Sequence, residues 1–145
     1  MRAAVIVLAV AAFLAASALV ARWLTTDNAE RAKVTRLLQA QARGDATGML
    51  RELDACVGAC AERARANARR LRRGGPVQIV AYDSATSHAL ATRTGLTRVV
   101  WKTPSTLPTV QCVRMHRAGD VASGYRIHVL GLSAPIARES DCPGR

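Results

Sequence analysis

The chain has 145 residues and a formal net charge of +11, and half of its residues are hydrophobic. That apolar content excludes a fully disordered chain, and the length allows one domain. Neither a collagen-like repeat nor a phosphate-binding glycine motif is visible, and only 3% of residues are aromatic.

Between Arg2 and Arg22 no residue is charged, and Ser17 is the only polar one. As a helix, Ala3–Ala21 spans about 28 Å, close to the hydrocarbon thickness of a bilayer. Trp23 follows where an interfacial aromatic is favoured. A buried core helix in so small a domain would need a polar face, which this segment lacks. Ala16-Ser17-Ala18 fits the small-residue rule of a cleaved signal peptide. The apolar run continues through Leu19, Val20 and Ala21, which favours an uncleaved anchor. The sequence therefore divides into an anchor or signal segment (1–24), an α+β domain (25–138) and a tail (139–145) that contains Cys142.

Asp27-Asn28-Ala29-Glu30 has the spacing of a capping box and predicts a helix start. Val34, Leu37, Leu38 and Gln41 continue at helical intervals. Gly44 is a natural stop, and Asp45 can cap a second helix whose apolar face holds Met49, Leu50 and Leu53. Cys56 to Cys60 reads as a short turn or a helix break. A third helix is predicted from Ala61 to Leu71, and Gly74-Gly75-Pro76 ends it.

Strand patterns follow. They cover Val77–Tyr82, His88–Arg93, Thr97–Lys102, Thr109–Arg117 and Tyr125–Ser133, with a turn at Ala118-Gly119-Asp120. In the last strand the apolar phase shifts from Ile127 and Val129 to Leu130 and Leu132, which predicts a bulge near Gly131 or burial of both faces. Helices first and an antiparallel sheet second argue for an α+β fold, with about three helices packed on the sheet.

Cys56, Cys60, Cys112 and Cys142 are four in number and all lie beyond the apolar segment. Behind an export-type segment they predict two disulfides and an extracytoplasmic domain. Three pairings are open, of which Cys56–Cys60 with Cys112–Cys142 is favoured. In the chain-entropy view the longer loop is worth nearly 4 kcal/mol and the short one about 2 kcal/mol. Zinc is the competing use of these thiols. Its sites prefer two tight pairs, and Cys112 and Cys142 lie far from Cys60. No metal or other cofactor is expected.

Val34-Thr35-Arg36-Leu37-Leu38-Gln39-Ala40-Gln41-Ala42-Arg43-Gly44-Asp45 resembles the first helix and Gly-Asp corner of NTF2-like (cystatin-like α+β) domains. Met49-Leu50-Arg51-Glu52-Leu53 and the late strands match their order. The chain looks like the small membrane-anchored NTF2-like proteins of actinobacterial type, over most of residues 28 to 135. The resemblance implies a curved sheet wrapped around helices with a cone-shaped cavity. Such domains serve as enzymes, ligand binders or accessory subunits.

The candidate chemistry is sparse. His116 and His128 fall on strands and are candidates for neighbours, with Asp120 or Tyr125 nearby. Asp83 is a candidate cavity base. Together Asp83, His116 and His128 form the alternative site of a hydrolase or isomerase. Read plainly, all three histidines, His88 included, are surface or hydrogen-bonded strand residues. Arg63, Arg65, Arg69, Arg70, Arg72 and Arg73 suit anionic lipid headgroups or an acidic partner, or else form a solvated helix face. A basic nucleic-acid-binding protein is a further alternative, but no stacking ladder accompanies the arginines. The sequence thus predicts a non-catalytic accessory module. It would contact lipid through its first helix, bind a protein partner or small apolar ligand, and meet no nucleic acid.

Overall fold

The computed structural model describes residues 2–84, 86, 92–120, 124–138 and 141–142. Among them the order is α1 (Arg2–Arg43), α2 (Ala46–Glu52), α3 (Ala59–Arg70), β1 (Gln78–Asp83), β2 (Arg93–Lys102), β3 (Thr109–Asp120) and β4 (Gly124–Leu132). The strands form one antiparallel sheet in the order β1-β2-β3-β4. This is the α+β arrangement expected, with the helices packed on one face of an open sheet.

The first helix departs from expectation. α1 runs unbroken for 42 residues, about 63 Å, so no helix begins at Asp27. A capping side chain needs amides without intrahelical partners, and those exist only in a first turn. In a continuous helix the amides around Asp27 already bond to preceding carbonyls. Asp27 and Glu30 instead turn toward β3, where Arg117 meets both carboxylates. The N-terminal part, Arg2–Ala21, has mean hydropathy 2.7 and no buried residue, and is long and apolar enough to cross a membrane or serve as a signal segment. The C-terminal part buries Val34, Leu37, Leu38, Ala40 and Ala42 against the domain.

The corner after α1 forms as its sequence dictates. Gly44 takes a left-handed φ of 77°. Asp45 caps α2 by accepting the Gly48 amide at 2.8 Å. Cys56 and Cys60 are joined, with Cα atoms 5.3 Å apart. A helical i,i+4 pair suits a disulfide poorly, and the chain escapes that geometry. Ala55 and Gly58 adopt φ of 55° and 54°, and α3 starts only at Ala59. Cys112 is joined to Cys142, Cα atoms 5.7 Å apart, so both favoured pairings are present.

In the sheet, β2 begins at Arg93 and pairs along its length with β3. Residues 87–91, including His88, lie outside the described residues. β3 does not turn at Ala118 but continues to Asp120, still paired with β4. The predicted irregularity in β4 is a bulge. Arg114 opposes Gly131 while Met115 opposes Val129, which leaves Leu130 as the extra residue. One added residue reverses the alternation, so Val129 and Leu132 both reach the core.

The inner face of the sheet presents Val99, Trp101, Val113 and Met115 to Leu37, Leu38 and Met49. Side chains thus fill the layer between helices and sheet. Buried Ala61, Ala64 and Ala68 let α3 pack closely with little side-chain volume. One polar network crosses this layer. Gln111 Oε1 accepts from Gln41 Nε2 at 2.9 Å and from Trp101 Nε1 at 2.8 Å. Gln111 Nε2 donates to the Ser133 carbonyl at 2.8 Å, and Asn67 Nδ2 reaches the same carbonyl at 2.8 Å. Gln111→Leu strands the Trp101 N–H and the Gln41 amide. It is expected to cost about 3 kcal/mol, read from urea unfolding followed by tryptophan fluorescence.

Candidate functional site

Polar chemistry concentrates in four places. The deepest is built on Glu30, which is fully buried. Its Oε1 accepts from Tyr82 Oη at 2.6 Å, Ser84 Oγ at 2.8 Å and Thr97 Oγ1 at 3.4 Å. Its Oε2 accepts from Thr86 Oγ1 at 2.8 Å and Arg117 Nη2 at 3.4 Å. The Arg117 guanidinium also lies 3.6 Å from Asp27 and 5.2 Å from the centre of the Tyr125 ring. Its Nε and Nη1 are buried without a hydrogen-bond partner among the described residues. Burial, then the negative charge of Glu30, pushes the Tyr82 hydroxyl well above its usual range, so it remains a donor. Five donors from the sheet side surround this carboxylate, so it acts as a structural tie.

The second place lies along the free edge of β4. The Asp54 amide donates to the Val129 carbonyl at 2.7 Å. The Asp54 carboxylate accepts from the Val129 amide at 3.0 Å and from Lys33 Nζ at 2.6 Å. His128 Nδ1 approaches it at 3.5 Å. Burial pushes this carboxyl up. The hydrogen bonds from Lys33 and the Val129 amide, the Lys33 charge and His128 outweigh that effect and hold it below its ordinary value.

His116 and His128 are register partners on the outer sheet face, ring centres 6.0 Å apart. His116 Nδ1 bonds to Thr94 Oγ1 at 2.7 Å. The histidines are therefore neighbours, but Asp83 does not join them. It sits on β1, three strand spacings or about 14 Å from β4, and pairs with Arg98 at 2.7 Å. Asp120 and Tyr125 do not join them either, lying toward the far end of the same hairpin. The carboxylate that does approach is Asp54. It follows α2 in sequence and reaches β4 only through the tertiary fold, so no local spacing signals it. The alternative catalytic constellation Asp83, His116 and His128 is thus not assembled.

The third place is a groove of about 560 Å³ on the outer sheet face, lined among others by Arg63, Leu96, Arg114, Leu130 and Gly131. Neither His116 nor His128 lines it. It lies on the opposite side of the sheet from the cavity that the family resemblance implies.

The fourth is the arginine cluster. Arg63, Arg65, Arg69, Arg70, Arg72 and Arg73 are all exposed. Among the described residues, none is ion-paired. Arg63 faces the groove, whereas the other five lie on the outer face of α3 and just past its end. The Arg73 amide donates to the Ala42 carbonyl at 2.7 Å, and the Arg72 stem packs over Gly44. The end of α3 therefore meets the end of α1. From Ala21 to Ala42 is about 32 Å of helix. Arg72 and Arg73 therefore stand at the end of α1 remote from its apolar part.

All four cysteines are in disulfides, so no thiolate remains for zinc. The described residues contain no group of three metal-ligating side chains. No family model matches the chain, and no curated protein or solved structure matches it.

Two consequences are measurable. Glu30→Ala leaves the Arg117 charge buried without its closest counter-ion. A loss of about 3–5 kcal/mol is expected, and the double variant Glu30→Met/Arg117→Met should recover much of it in a double-mutant cycle. The Asp54 carboxyl titrates lower in the folded chain than its unfolded value near 3.9. Its stabilising contribution is therefore complete above that value and fades as pH falls through the folded one. Asp54→Asn should be less stable at neutral pH. Its unfolding midpoint should fall less steeply than the parent's between about pH 4 and pH 2.

Proposed function

We propose that the chain is a membrane-anchored, extracytoplasmic module of NTF2-like type that binds an acidic protein partner and carries out no catalysis of its own. One observation carries this reading. Five exposed arginines, Arg65, Arg69, Arg70, Arg72 and Arg73, form a face with no ion pair among the described residues, at the end of α1 remote from its apolar part. Guanidinium groups suit carboxylates through bidentate contacts. With Arg2–Ala21 across a bilayer, Arg72 and Arg73 stand about 30 Å of helix beyond Ala21, more than a screening length from lipid charge, which favours a partner over headgroups.

The other parts of the reading have separate support. The exposed apolar helix at the N-terminus supports an anchor. Two disulfides support an oxidising compartment. Helices followed by an antiparallel meander, with the helices on one face, support the NTF2-like assignment. An acidic protein is favoured over nucleic acid because α3 offers no aromatic residue for stacking.

The test uses the full chain in phosphatidylcholine nanodiscs, with polyglutamate as the acidic probe. Binding should weaken steadily as salt rises. The triple variant Arg65→Gln/Arg69→Gln/Arg72→Gln should bind about tenfold or more weakly at low salt. An unchanged affinity in that variant removes the proposal. Tighter binding of duplex DNA than of polyglutamate replaces it with the nucleic-acid reading.

A further inference from the structure

We infer that the groove on the outer face of the sheet is a binding site for a small amphipathic carboxylate, an anionic head on an apolar body. The inference stands on the groove alone and is independent of the arginine face of α3.

The volume, about 560 Å³, lies within the usual range for small-ligand sites. The lining divides chemically. Arg63 from α3 and Arg114 from β3 supply two guanidinium groups, and Leu96 and Leu130 supply apolar surface. Neither arginine has an ion pair among the described residues. Asp141 is the one acid among the described residues of the lining, and its Oδ2 accepts from the Arg138 amide at 3.1 Å. Two cations and one carboxylate therefore face a partly apolar recess, so the described lining carries one positive charge in excess. A neutral apolar ligand would leave that excess charge unmet, whereas a carboxylate meets it with charge-assisted hydrogen bonds.

The recess is also built to stay open and fixed. Gly131 sits opposite Arg114 in the sheet register. A Cβ there would meet nothing within 4 Å, so the absent side chain leaves free space above the strand. Leu130 joins the lining because it is the extra residue of the β4 bulge. One cysteine of each disulfide, Cys60 and Cys112, is in the lining. Both covalent links thus hold walls of the same recess, and a site with fixed walls loses less entropy on binding.

Equilibrium dialysis of 4-phenylbutyrate and of octanoate tests the inference, with the full chain in phosphatidylcholine nanodiscs and empty discs as the blank. At least one of the two acids should bind one to one with a Kd of about 1 mM or tighter, and 4-phenylbutanol should bind about tenfold more weakly. Arg63→Gln and Arg114→Gln should each weaken the acid about fivefold or more, while Arg69→Gln, on the other arginine face, should not. Gly131→Leu should abolish binding without lowering the thermal unfolding midpoint, because it fills open space and displaces no atom. The inference fails if neither acid binds above the blank. It also fails if acid and alcohol bind alike, or if Arg63→Gln and Arg114→Gln leave affinity unchanged. Because Arg65, Arg69 and Arg72 lie outside the groove, loss of polyglutamate binding and loss of carboxylate binding are separable results.

Discussion

A single buried carboxylate sets the geometry of the molecule. Glu30 sits where α1 first meets the sheet side, and full burial of an ionised group is tolerable only when it is paired and hydrogen-bonded. Tyr82, Ser84, Thr86, Thr97 and Arg117 meet that requirement. They come from β1, the segment that follows it, β2 and β3. One helical residue therefore fixes α1 against three strands at once. The arrangement is more demanding than an apolar contact of the same size, because each missing donor leaves a lone pair desolvated. Arg117 shows the cost from the other side, since it is 1% exposed and two of its nitrogens have no hydrogen-bond partner among the described residues.

The consequence is mechanical. Since α1 has no break between its apolar part and the domain, the orientation of the domain follows the orientation of that helix. The Glu30 tie stops the sheet from swivelling about it. A flexible linker would let the domain sample many positions, but a continuous helix holds α3 at one end and the apolar segment at the other. The abundance of alanine and arginine then has a common explanation. Alanine at positions 61, 64 and 68 brings α3 close to the core, and arginines on its other face keep a thin, weakly apolar helix soluble. The same composition leaves an outward guanidinium surface, on which the proposed partner-binding role rests.

Local features were legible in the sequence because their causes are local. Gly44-Asp45 forms a stop and a cap, since both depend on a few consecutive residues. The double apolar phase of β4 exposed its bulge. The four cysteines were legible as two disulfides, but three pairings stayed open, and the favoured one is the one present. Asp27 and Glu30 misled for the opposite reason. Their spacing of three fits a capping box, but it equally places two carboxylates on one helix face, where a distant arginine can collect them. Nothing within the segment distinguishes the two. The one available signal was the absence of glycine or proline between Ala21 and Val34, which gave the helix no reason to stop. Asp54 and the outer groove were invisible because both arise from residues brought together across α2, α3, β3 and β4. Asp83 was legible as an acid on a strand, but its distance from the histidines depends on strand order, which periodicity does not report.

The disulfides gain meaning from the open sheet. A sheet with free edges exposes unpaired backbone groups that invite pairing with other chains. At the β4 edge, Asp54 uses both its amide and its carboxylate on Val129, and the Cys56–Cys60 loop follows directly. In the chain-entropy view this short bridge is worth only about half as much as the long one, and it also acts in the folded state. It fixes the turn that leads from the covered edge into α3 and sets the position of Arg63. At β1, the other edge, the strand has only six residues and a register shift between Ile79 and Ala81, two features that make an edge a poor template for pairing. Edge protection and groove construction therefore share the short disulfide. Reducing that bridge would loosen both together, so edge and groove depend on the same covalent bond.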